Sequence, residues 1–102
     1  MTAIPRPPVA AIVSRGGRPD LVGGRLALVR TPTLFIVGGA DKVILNLNQR
    51  ARAQLTCENR LAIIGGATHL FSEPGALEQV TDLAGDWFGS HFAQVNPIAA
   101  AA

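Results

Sequence analysis

Thr33-Leu34-Phe35-Ile36-Val37-Gly38-Gly39-Ala40-Asp41-Lys42 and Leu61-Ala62-Ile63-Ile64-Gly65-Gly66-Ala67-Thr68-His69 share one pattern: a continuous apolar run, a glycine pair, then a residue with acid–base chemistry. A short run without polar alternation suits a strand covered on both faces, the environment of a parallel sheet. Between the two runs, Val43, Leu47, Ala51 and Leu55 recur every four residues, with Ile44 beside them and Asn46, Asn48, Arg50 and Arg52 opposite. That spacing predicts an amphipathic helix from Lys42 to Leu55, the first set inward and the second outward.

Working outward, Val9-Ala10-Ala11-Ile12-Val13 reads as another short buried strand, and Ser14 to Asp20 as a Gly- and Pro-containing loop. A weakly helical stretch follows from Leu21 to Val29, undermined by Gly23 and Gly24, and Thr31-Pro32 marks the boundary before the next strand. Ser72-Glu73-Pro74 is an initiation signal for a last helix. Its stripe of Leu77, Val80, Ala84, Trp87 or Phe88, and His91 carries it to about Phe92. Residues 1–8 are expected to be an extended or disordered segment, 9–93 a single domain and 94–102 a flexible tail.

Alternation of strand and helix implies an α/β fold: a three-stranded parallel sheet with flanking helices, strands side by side in chain order, joined by right-handed crossovers. All strand C-terminal ends then point one way, toward the edge where open α/β sheets bind ligands, and Ser14, Asp41 and His69 all fall there.

Composition narrows the partners. The 102 residues are 48% hydrophobic and 16% charged, enough for one small core, and the net charge of +2 gives no reason to expect nucleic acid or an anionic membrane. Arg15, Arg18, Arg25 and Arg30 read as solvated positions, with an anion-binding patch as the alternative. Cys57 is single, which excludes an internal disulfide, and it has no companions for zinc; no cofactor or metal is expected. No run approaches the roughly 18–20 apolar residues of a membrane span, and the first residues lack the apolar core of a signal peptide. A reducing, cytoplasmic location is the expectation.

Asp41 and His69 lie 28 residues apart, one helix plus one strand. A carboxylate that accepts a hydrogen bond from one imidazole nitrogen fixes the tautomer and stabilises the imidazolium formed when the other nitrogen takes a proton. Taken singly, Asp41 suits a turn or helix N-cap and His69 a loop histidine; their joint placement favours an acid–base pair. His91, beside Trp87 and Phe92, reads as a packing or surface residue. No serine or cysteine here stands in a Gly-x-Ser-x-Gly elbow: Ser14 has Gly16 after it but Ile12 where the first glycine belongs.

Three motifs, Ser14-Arg15-Gly16-Gly17-Arg18-Pro19-Asp20-Leu21, Thr31 through Asp41, and Gly66-Ala67-Thr68-His69-Leu70-Phe71 with Glu73-Pro74-Gly75, together give a resemblance. From Val9 to Phe92 the sequence resembles the C-terminal third of α/β-hydrolases of the dienelactone hydrolase type. The resemblance implies that Asp41 is the triad acid, His69 the triad base, and the three strands the last of an eight-stranded sheet. Sequences of this type hydrolyse esters or lactones, and some look fused to a phosphoribosyltransferase domain. The nucleophile elbow and the oxyanion loop belong to the part of that fold preceding Val9, so the isolated chain is expected to be inactive. Its first strand would present a bare edge, which predicts a homo-oligomer or a second chain supplying the nucleophile half. A non-catalytic interaction or oligomerisation module is the competing expectation. A small ligand-binding domain, with the glycine pairs and Arg15 and Arg18 meeting an anion, is a third.

Overall fold

The computed structural model describes residues 10–95, with three parallel strands in the order β1-β2-β3: β1 (Ile12–Arg15), β2 (Thr33–Gly38) and β3 (Asn59–Ile64). β2 pairs with both neighbours, Ile12 aligning with Thr33 and Thr33 with Asn59. Every residue of β2 is buried, Ile36 and Val37 completely, which is why its sequence is apolar without alternation.

The sheet is covered on both faces. Helix α2 (Ala76–Val95) packs on one, where Leu34, Ile36, Ile64, Ala67, Phe71, Ala76 and Trp87 form the main core with Val13, Ala62, Val80 and Leu83 against it. Helix α1 (Lys42–Arg52) covers the other, with the 3₁₀ segment Pro19–Leu28 beside it. On that face Ile12, Ser14, Leu26, Thr33, Phe35 and Leu55 line an apolar hollow of about 180 Å³.

Several expectations are corrected. β1 lies at Ile12–Arg15, later than Val9–Val13, because Ile12 and Gly16 donate N–H bonds to Pro32 and Ile36 and so fix the register; Val9 lies outside the described residues. The expected weak helix is 3₁₀ and broken at Gly23, whose φ of +62° no helix accommodates. α1 stops at Arg52 and α2 continues to Val95, so 94 and 95 are helical; residues 1–9 and 96–102 lie outside the described residues.

The inward face of α1 is rotated from the predicted one. Val43 is 70% exposed, whereas Asn48, expected outward, is fully buried. Its Nδ2 donates to the Gly17 carbonyl at 3.0 Å and to the Ile44 carbonyl at 2.8 Å, so α1 is fastened to the loop after β1. His91 is buried as a packing residue: Nδ1–H donates to the Trp87 carbonyl at 2.8 Å, and Nε2 lies 3.2 Å from Glu58 Oε1.

No described helix is long and apolar enough to cross a membrane, and among the described residues no group of acidic, histidine and cysteine side chains is arranged to hold a metal ion.

Candidate active site

Two loops leave adjacent strands at the same end of the sheet and are stitched together through the backbone. Gly39 N–H donates to Ile64 at 2.8 Å and Ala40 N–H to Ala67 at 3.0 Å, while Asp41 N–H closes a turn on Gly38 at 3.0 Å. The chains run so close that a Cβ on Gly38 would collide with the Ala67 carbonyl, so this position requires glycine. In the second loop the Ala67 N–H returns to Ile64 at 3.2 Å around Gly66, whose φ of +73° is the left-handed third position of a tight turn.

This stitching brings Asp41 and His69 into contact. His69 Nδ1–H donates to Asp41 Oδ2 at 2.9 Å. Asp41 stands at the N-cap position of α1 and its carbonyl accepts the Leu45 N–H at 2.9 Å, yet its carboxylate makes no cap bond. The side chain bonds the histidine instead. The Asp41 side chain is only 15% exposed and that of His69 57%, so the acid is sheltered while the ring stands at the rim. With Nδ1–H committed to the carboxylate, Nε2 is the basic lone pair, and among the described residues it has no partner.

The loop carrying His69 is held on both sides. Glu73 accepts the Thr68 N–H at 3.0 Å and the Thr68 hydroxyl at 2.7 Å, and these bonds hold its carboxyl below the usual range. Phe71, 1% exposed, anchors the loop in the core with a φ of +55°, the single left-handed non-glycine among the described residues. Arg15 places its guanidinium 5.5 Å from the Phe71 ring centre, a cation–π contact. Ser14, by contrast, faces the apolar hollow with Thr33 and Phe35 on the opposite side of β1 from Arg15, and no hydrogen bond joins it to His69. The Thr68–Glu73 clamp and the left-handed Phe71 escape periodicity reasoning; the one sequence signal for them is the density of polar and turn-forming residues between Thr68 and Gly75.

A parallel, two-sided sheet with an acid and a histidine hydrogen-bonded at its C-terminal edge is the architecture of an α/β-hydrolase in part. Known proteins share it: the chain is similar to part of a dienelactone hydrolase, an α/β-hydrolase. The crystal structure of dienelactone hydrolase from Anabaena variabilis superposes with a TM-score of 0.78 and 52% sequence identity, over 79% of this chain and 38% of that one. Over 95 residues, 93% of this chain, the sequence is 57% identical to a protein of Mycobacterium tuberculosis, in strains CDC 1551 and H37Rv, that carries the name "Putative phosphoribosyl transferase". The match spans 21% of those relatives' length. No protein-family model matches the chain.

Proposed function

We propose that this chain is the acid- and base-bearing part of a serine α/β-hydrolase that cleaves esters or lactones, with the nucleophile and the oxyanion donors supplied by residues outside these 102. The observation that carries the reading is the 2.9 Å Asp41–His69 bond at a strand-end rim, which leaves Nε2 directed away from its partner. A serine hydroxyl brought to Nε2 gives up its proton as its oxygen attacks the ester carbonyl. The imidazolium, stabilised by Asp41, returns that proton to the departing alkoxide, and water repeats the cycle on the acyl-enzyme. In the isolated chain neither the attack nor the stabilisation of the oxyanion has a donor, so we expect no turnover. We assign the phosphoribosyl transferase function in the name of the Mycobacterium tuberculosis relatives to the four fifths of those proteins beyond the matched stretch.

One observation favours a second reading, a non-catalytic interaction module. Among the described residues β1 has a neighbour on one side only, and Leu21 and Leu28 are each 75% exposed. An unpaired strand with apolar surroundings promotes association, either with a second copy or with a chain bearing the nucleophile half.

The deciding experiment is the native mass of the protein captured from its source cells, with every stoichiometric companion identified. A chain with a Gly-x-Ser-x-Gly segment supports the hydrolase, and His69→Ala should then abolish ester turnover by the complex while leaving assembly intact. Unchanged turnover in that variant would refute the assignment. A homo-oligomer alone favours the interaction module, and a dilute monomer by sedimentation counts against both forms of association.

A further inference from the structure

We propose that Gly16, at the end of β1, is a positioning residue for His69: its bare backbone is the wall that sets the plane of the ring and keeps Nδ1 on Asp41. The inference rests on the acid–base pair described above and extends it to an element that carries neither member.

A Cβ at Gly16 would stand 3.3 Å from both Cε1 and Nδ1 of His69, and Nδ1 is the atom bonded to Asp41. Contacts that short oblige one side to give by a few tenths of an ångström. The Gly16 side is fixed. Its N–H donates to Ile36 at 2.7 Å, and the next carbonyl, that of Gly17, accepts from the buried Asn48 at 3.0 Å. The ring is the freer partner, at the rim of the site. A displacement of a few tenths added to 2.9 Å takes the Asp41–His69 separation to the upper end of the roughly 2.7–3.2 Å span of a good N–H···O bond. The φ of +59° at Gly16 aims its missing side chain at the imidazole, so glycine here meets two demands at once, a left-handed backbone and an unobstructed ring.

The test is nitrogen-15 NMR of the His69 ring in the full chain, at a pH of about 8.5 where an ordinary imidazole is neutral. The native chain should show the proton on Nδ1, and Asp41→Asn should remove that preference. Gly16→Ala is expected to lose the Nδ1–H form as the major species while keeping the native backbone spectrum. Gly75→Ala is the control: φ is +81° there and a Cβ meets open space, so it carries a comparable backbone strain and should leave His69 unchanged. If Asp41→Asn moves the tautomer and Gly16→Ala does not, Gly16 has no positioning role although the acid–base pair stands. If Asp41→Asn has no effect, the pair itself fails, and this proposal with it. Should Gly16→Ala not fold, removal of the obstructed ring in Gly16→Ala/His69→Ala should restore the fold; a double variant that stays unfolded overturns the proposal.

Discussion

Phe71 joins the core to the site, and its replacement by Ala and by Gly separates the two things it does. The side chain is 1% exposed beside Ala67, Ala76 and Trp87, so truncation to Ala should cost about 3–5 kcal/mol for lost burial and cavity. Loss of the Arg15 contact adds about 0.5–1 kcal/mol, the value for an exposed cation–π pair. Against the roughly 5–15 kcal/mol of a whole domain, Phe71→Ala should leave the chain marginal.

Phe71→Gly tests the backbone. Glycine ordinarily lies about 0.5–1 kcal/mol below alanine because its unfolded state is freer. At the φ of +55° held by Phe71, a left-handed conformation costs an L-residue roughly 1–2 kcal/mol that glycine does not incur. The second term is the larger, so Phe71→Gly should match Phe71→Ala or exceed it by up to about 1.5 kcal/mol, reversing the usual order. Urea unfolding followed through Trp87, the single tryptophan and 8% exposed, measures both variants by linear extrapolation. A glycine variant clearly less stable than the alanine one would refute the left-handed conformation and with it the geometry of the loop carrying His69.

The remaining predictions concern the pair and its supports. Asp41→Asn should change stability by no more than about 1 kcal/mol, since His69 is largely solvated, yet lower kcat of an assembled hydrolase by about 10⁴-fold through the wrong tautomer; equal effects on melting and turnover would contradict this. The Glu73 carboxyl is held below its unfolded value by its bonds from Thr68, so its clamp on Thr68 is in full force above the ordinary glutamate range and lost as pH falls through the lower folded value. Glu73→Gln should flatten that acid limb in a pH series of the Thr68 amide signal, and an unaltered profile would remove the clamp. Asn48→Leu strips the Gly17 carbonyl of its donor and should cost about 1–3 kcal/mol by urea unfolding, with amide exchange accelerated around Gly16 and Gly17; native-like exchange there would mean the loop is not anchored by α1.

The strands and the pair were legible because both are local in kind. An apolar run without alternation reports two-sided burial whatever lies around it, and β2 obeys; a glycine pair followed by Asp41 or His69 reports a strand end at a shared edge. Asn48 defeats the same reasoning. Helical periodicity sorts residues by polarity, and a buried amide that satisfies the Gly17 carbonyl, 31 positions away, follows a tertiary demand that no window of α1 contains. Val43 fails for the complementary reason: it belongs to the apolar stripe but stands 70% exposed in the first turn of α1, so apolarity alone gives it no sheet to face. The weak helix expected after Asp20 differs in kind and in bounds, since Gly23 at φ +62° allows two short 3₁₀ turns over Pro19–Leu28 where one α-helix cannot continue.

What ties these cases together is that the pair is assembled by the bonds of the loops around it and not by its own attraction. An exposed imidazole–carboxylate contact is worth about 1 kcal/mol at most, too little to hold two loops against the entropy of ordering them. Four other bonds do that: Gly39 to Ile64, Ala40 to Ala67, and the two from Thr68 to Glu73. The geometry around Asp41 and His69 therefore exists before any nucleophile arrives. On the proposed hydrolase reading, a partner delivering a serine to Nε2 would meet a base already oriented, and the work left to it would be to place one hydroxyl and an oxyanion hole.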